Sequence, residues 1–306
     1  MMTSICTSYY QFILAQGVLG GVSAGMTIFP AMAATGQYFN KKRAAALGMA
    51  VAGSSLGGVA FPIALGKMLY NPQLGFGWTA RICSFIMLAI LVPACTSIRA
   101  RLPPRKDSFF LPSAFKEAPY LAIIGASFLL MLGFFIPFFY LPTYAVGRGM
   151  SSELASYLIS ILNGASFFGR VIPGILADKL GRLNMLCVAA FSTGILIFCW
   201  PKVNTNALII IFSALYGFCS GAIISLMSAC LAQIPKDPRN IGTYMGMGMA
   251  VASLAALIGP PINGALVNRY NGFDQASIFS GAVVLVGGIV VLLAKQASGK
   301  GLFAKI

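Results

Sequence analysis

Apolar residues run along this chain in long, nearly charge-free blocks, broken by short clusters of charge, glycine and proline. Nine such blocks cover residues 13–38, 44–68, 78–97, 120–144, 153–177, 185–201, 206–233, 241–267 and 277–294. A helix rises about 1.5 Å per residue, so roughly 20 residues cross about 30 Å of hydrocarbon. Most of the blocks are that long; 185–201 is shorter. The pattern predicts an all-α polytopic membrane protein with about nine transmembrane helices.

Composition supports this class. Hydrophobic residues make up 58% of the 306 and charged residues 9%, against about 25% charged in soluble domains. Mean hydropathy is +0.86. The net charge of +15 does not point to nucleic acid, which would require a soluble basic face. The basic residues instead sit between the apolar blocks. Lys41, Lys42 and Arg43 form one cluster, and Arg99, Arg101, Arg105, Lys106 and Lys116 a second. Lys179 with Arg182, Lys236 with Arg239, and Lys295, Lys300 and Lys305 complete the set. The alternate loops hold only Lys67, Arg81, Arg148, Lys202 and Arg269. By the positive-inside rule the richer set is cytosolic, which predicts a cytosolic carboxyl terminus.

Seven cysteines lie mostly within the blocks and lack CxxC spacing, so the sequence suggests neither a disulfide framework nor a zinc site. There is no histidine, which argues against haem and most zinc chemistry, and no cofactor is expected. Gly53-Ser54-Ser55-Leu56-Gly57 spells a nucleophile-elbow pattern, but it falls in a small-residue helix without a histidine base, so no enzyme activity is expected. The first residues, MMTSICTSYYQF, lack the basic region and cleavage site of a signal peptide.

Internal repetition organises the blocks. Gly48-Met49-Ala50-Val51-Ala52 recurs as Gly248-Met249-Ala250-Val251-Ala252, and Gly21 with Gly25 recurs as Gly217 with Gly221. Similar offsets favour two parallel halves of a duplicated bundle. Residues 120–306 then form a complete six-helix carboxyl half with a short tail, and 1–97 a partial amino half holding the expected fourth to sixth helices. Residues 98–119, with Pro103, Pro104, Arg105, Lys106 and Asp107, make a cytosolic linker. The first three helices are expected to be missing, as in a fragment, a truncated gene model or a short product. Glycines 48, 53, 57 and 58 before Pro62, and 242, 246, 248 and 259 before Pro260 and Pro261, suit either a flexing interface between halves or tight packing.

Arg170 is the one charge between Leu154 and Ala177. A guanidinium keeps its proton and is costly at bilayer depth, so the default expectation is an anionic or polar partner. Asp178 marks the cytosolic exit, and eight residues of helix set Arg170 about 12 Å inside. Bidentate contact with a carboxylate is the expected chemistry; a snorkelling arginine is the alternative. Asn163, two turns earlier on the same face, either shares a cavity with Arg170 or bonds a neighbouring helix. Phe134, Phe135, Phe138, Phe139, Tyr140 and Tyr144 surround Pro137 and Pro142. They suit an interfacial aromatic belt better than an aromatic-substrate site.

The run Gly174-Ile175-Leu176-Ala177-Asp178-Lys179-Leu180-Gly181-Arg182 resembles the G-x-x-x-D-[RK]-x-G-[RK] loop of the major facilitator superfamily, where it helps latch the inward face. Tyr38-Phe39-Asn40-Lys41-Lys42-Arg43, then Ala46-Leu47-Gly48-Met49-Ala50 and Gly53-Ser54, resembles a signature of the monocarboxylate porter family. Gly75-Phe76-Gly77-Trp78 with Arg81, and Asn163 leading to Phe168-Gly169-Arg170-Val171-Ile172-Pro173-Gly174, is similar to its fungal branch, which also includes vitamin carriers. The resemblance implies a major facilitator-type bundle. It assigns Arg170, with Asn163 and Ser166, to substrate binding, and Gly174, Asp178, Lys179, Gly181, Arg182, Lys42 and Arg43 to gating. Ser166 departs from animal carriers, which have an aspartate one turn before the arginine. The family's proton-coupling lysine lies on the first helix, so symport with protons would need residues outside this chain.

The expected function is transport of a small organic solute, a monocarboxylate or other anionic or polar metabolite, through a lipid bilayer by alternating access. The alternative is a membrane protein that binds a ligand without moving it or associates with a full-length carrier. Neither involves nucleic acid.

Overall fold

The computed structural model describes residues 1–71, 73–102 and 110–297, apart from the side chain of Ala297. Pro103, Pro104, Arg105, Lys106, Asp107, Lys300 and Lys305 lie outside the described residues. Nine helices among the described residues are long and apolar enough to span a bilayer. They are α1 (Tyr9–Tyr38), α2 (Arg43–Leu69), α3 (Gly75–Ser97), α4 (Ala118–Gly147), α5 (Ser152–Leu180), α6 (Arg182–Lys202), α7 (Asn206–Leu231), α8 (Pro238–Tyr270) and α9 (Asp274–Gln296). The short block at 185–201 gains a turn at its start, because Gly181, at φ +99°, lets α6 begin at once after α5.

Two helices depart from a plain rod. α4 breaks at Phe135, whose φ −86° and ψ −4° interrupt the ladder just before Pro137, since proline removes one backbone bond and crowds the preceding turn. α1 contains a π-helical stretch at Ile13–Leu19.

The carboxyl-terminal helices pack densely. α5 lies along α7, α4 against α8 and α9, and α6 between α7 and α9. Hydroxyl groups stitch them: Ser213 donates to the Leu158 carbonyl at 2.8 Å, Tyr120 to the Tyr244 carbonyl at 2.8 Å, and Tyr216 to the Phe134 carbonyl. In an apolar medium such bonds supply the association that hydrophobicity cannot. Small residues set the α5–α7 spacing. A Cβ at Gly217 would collide with the Leu162 carbonyl, and one at Gly169 with that of Phe218.

The aromatic residues of α4 correct the belt expectation. Phe134 and Tyr144 are buried, Phe134 stacks on Phe138 at 5.2 Å, and Tyr144 meets Trp200 and Phe273. Phe134 continues the buried face of Tyr120, Ser127 and Leu130, and Tyr144 is buried beyond the break, while Phe139 stays exposed.

The amino-terminal helices contact one another sparingly. α2 is the exception in its outer contacts, for it lies along α5 and touches α7, while α1 reaches α8. The repeated pentapeptides therefore meet different surroundings. Gly48 faces α5, whereas Gly248 faces Leu231 and Ile124 inside the carboxyl-terminal group.

Gly217→Val should push α5 from α7 and destabilise the fold by about 1–3 kcal/mol. Gly246→Ala, with nothing within 4 Å, should hold or raise stability, as alanine is the better helix former. Thermal melting of the purified variants checks both, and equal midpoints would contradict this packing.

Candidate functional site

α2 and α5 run antiparallel, and their contacts can be followed along the whole length. At one end Gly174 faces Ala44 and Gly48: a Cβ on Gly174 would lie 3.0 Å from the Ala44 carbonyl oxygen, and the Cβ of a residue at 48 would lie 2.5 Å from that of Arg170. Further along, Arg170 faces Val51 and Ser54. Beyond these, the Asn163 side chain occupies the space over Gly58, where an added Cβ would come within 2.6 Å of it. Small residues thus bring the two backbones together over the first half of the contact. From Pro62 onward the helices separate. A cavity of about 490 Å³ opens between Pro62, Ile63, Lys67 and Tyr70 on one side and Glu153 and Tyr157 on the other.

Arg170 sits within the closed stretch, between the Gly48–Gly174 approach and the Gly58–Asn163 contact. It is 5% exposed. Its Nη1 donates to the Val51 carbonyl at 3.0 Å and to Ser54 Oγ, which itself donates to Val51 at 2.9 Å. Its Nε is buried without a partner. The guanidinium therefore points across the contact between the amino-terminal and carboxyl-terminal helices and not outward toward lipid. Val51 and Ser54 went unassigned in the sequence. Ser54 lies in the Gly53-Ser54 signature, yet nothing in its spacing discloses a partner 116 residues away. Its neighbour Ser55 is buried in mid-helix with an unpartnered hydroxyl, in no strand-turn-helix setting.

Asn163 is half-buried, donates to the Ile159 carbonyl at 2.9 Å, and shares the α2-facing side with Arg170. Ser166 does not join them. It is fully buried and turned to Gly221 of α7, where a Cβ would meet its Oγ at 2.6 Å.

The closed end of the contact is built from charge and helix termini. Asp178 Oδ1 and Oδ2 accept from the backbone N–H groups of Ala44 and Ala45, at 3.1 and 3.0 Å. These belong to the first turn of α2, which has no cap of its own from Lys42. A carboxylate there meets both orphan donors and the positive end of the helix dipole. Arg182 holds Asp178 at 3.3 Å and reaches Gln233 Oε1 at 3.3 Å. Arg43 donates to the Phe39 carbonyl and to that of Ala232, each at 3.1 Å, which places a cation at the negative end of α7. Of the motif residues, Gly174 provides the close approach and Gly181 the positive-φ turn, while Lys179 and Lys42 stand exposed.

The chain matches the Major Facilitator Superfamily over residues 1–203 and again over 174–304. The Aspyridones efflux protein apdF of Emericella nidulans is 56% identical over 301 residues, covering 98% of this chain and 62% of that protein. The Agnestins efflux protein AgnL12 of Paecilomyces divaricatus is 42% identical, covering 99% of this chain and 70% of that protein. The chain thus spans 62% of the length of the first of these and 70% of the second. These relatives are named for efflux and not as monocarboxylate porters. A crystal structure of the E. coli fucose:proton symporter FucP shares the fold at TM-score 0.72 with 14% identity, covering 94% of this chain and 77% of that one. Nine apolar helices among the described residues and these matches lead to one conclusion: the chain is a multi-pass membrane protein belonging to the Major Facilitator Superfamily.

Proposed function

We propose that the chain carries a small organic solute, a monocarboxylate or another anionic or polar metabolite, by alternating access. In this account residues 1–97 and 120–306 act as two rocking lobes joined by the 98–119 linker. The observation that carries it is Arg170, a buried cation whose Nη1 is held by the opposite lobe while its Nε lacks a partner. Burying an N–H of a charged group unpaired is unfavourable, and a carboxylate relieves it with short, charge-assisted bonds. Asn163 stands between the open cleft and Arg170, so the α5 face from Tyr157 through Asn163 to Arg170 forms the route inward.

The shape of the α2–α5 contact supports rocking. Asp178, Arg182 and Arg43 close its basic end while the other end gapes. Opening the basic end swings Lys67 of α2 toward Glu153 of α5 across the cleft. The names of the relatives support export as the direction. Lys42, Lys179, Gly174 and Gly181 serve the same gate through the loops that carry them, and Ser166 shapes the α7 side behind Arg170.

The length of the chain beside its relatives favours a second reading, ligand binding or association with a full-length carrier without flux. Proteoliposomes holding the 306-residue chain separate the two. With pyruvate as the first labelled probe of a carboxylate panel, transport predicts saturable flux, lost by about 100-fold in Arg170→Ala and partly kept in Arg170→Lys, which retains charge but not the bidentate fork. Saturable binding without flux supports the second reading, and flux indifferent to Arg170→Ala contradicts the first.

Asp178→Ala leaves the Ala44 and Ala45 N–H groups without their acceptors and should lower stability by about 1–2 kcal/mol. Asp178→Asn, which keeps one acceptor oxygen, should cost less. Thermal melting checks the order, and equal losses would remove the capping role.

A further inference from the structure

A second cavity lies at the basic end of the molecule, away from Arg170. It measures about 500 Å³, and its walls include Gln37 in the last turn of α1, Asn40 just after it, Arg43 of α2, Arg101 of the linker, and Gln233 and Lys236 between α7 and α8. Among the described residues three cations and three amides line it, and no carboxylate does. Two acids of this end among the described residues are engaged elsewhere. Asp237 accepts from the Arg239 N–H at 2.9 Å, and Asp178 is taken by α2 and Arg182.

The donors facing this space are only partly used. Arg43 bonds the Phe39 and Ala232 carbonyls through Nε and Nη1, which leaves Nη2. Arg101 bonds the Gln37 carbonyl through Nη1 at 3.3 Å, leaving Nε and Nη2. The Gln37 and Gln233 side-chain oxygens accept from the Leu102 N–H and from Arg182, so their amide N–H groups are the ends left to donate. Lys236 is exposed on the rim. Like charges gathered around a concave space, with no counter-ion among the described residues that line it, favour an anion of high charge density, and arginine forks match phosphoryl oxygens.

We propose that this cavity is a binding site for a phosphomonoester or diphosphate anion, supplied either by a lipid headgroup or by a free phosphate. The site draws Arg43 from the α1–α2 turn and Gln233 and Lys236 from the carboxyl-terminal helices. An anion within it ties the two groups together beside the Asp178 latch and favours the state in which the basic end is closed. Its position at the end of the helices suits a phospholipid headgroup, where each basic residue adds a modest attraction. The site is separate from the solute route, so its occupancy is read by binding alone.

The test uses the full 306-residue chain in phosphatidylcholine nanodiscs. One arm titrates inorganic pyrophosphate by calorimetry. The other adds phosphatidylinositol monophosphate to the discs and follows retention of the lipid by native mass spectrometry. Pyrophosphate binding identifies a free-phosphate source, retention of the lipid alone identifies a headgroup, and either supports the site. The paired substitution Arg101→Gln with Lys236→Gln should weaken whichever binding is seen by on the order of 30-fold. Arg101→Lys with Lys236→Arg should largely keep it. Both positions are exposed, and Lys236→Gln alone, expected to weaken binding about fivefold, serves if the pair elutes as aggregate. No binding in either arm, or binding unchanged by removing these charges, overturns the proposal.

Discussion

A close backbone contact between α2 and α5 underlies the site. Gly48 and Gly174 let the helices meet where any side chain would hold them apart, and the Asp178 carboxylate fixes that end by capping a helix to which it has no covalent connection nearby. Two bonds from N–H groups that would otherwise lack acceptors, made to a charged oxygen pair, outweigh a comparable bond on an exposed surface. Close packing stops near Gly58 and Pro62, where proline cannot maintain the ladder. The result is a pair of helices pinned at one end and parted at the other.

That geometry gives the buried arginine its meaning. Arg170 is attached to α5, but the groups that satisfy it belong to α2. Its hydrogen bonds therefore depend on how the two groups of helices sit, and a ligand that met its unpartnered Nε would be sensed by both. The arrangement at the opposite end has the same character, since Arg43 of α2 rests on the last carbonyls of α7 and Arg182 reaches Gln233. Charge in this protein is concentrated at helix ends and at the contact between groups, where backbone dipoles and carbonyls receive it.

Much of the fold is legible in the sequence because the bilayer imposes it locally: a run of apolar residues of the right length must be a helix whatever its neighbours are. All nine spans follow from that constraint. The acid of the Asp178 loop is equally visible as a residue near helix ends. Its partners are not, because Ala44 and Ala45 offer only backbone N–H groups, which carry no signature in the side-chain sequence. The same holds for Val51. The repeated pentapeptide marks two helices of like position, but only the packed structure shows one facing α5 and the other buried among Leu231 and Ile124. The aromatic run of α4 reads as interfacial because composition does not register which neighbours cover it: Phe134 and Tyr144 are buried against other helices.

In the proposed rocking motion Asp178 pins α2 to α5. Spin labels at Lys67→Cys and Glu153→Cys, in a background with the native cysteines replaced by alanine, report the width of the open cleft by pulsed electron resonance. Introducing Asp178→Ala should shift the distance distribution toward shorter values as the freed basic end opens and the cleft closes. A distribution that stays put, or that widens when the latch is removed, would contradict the account.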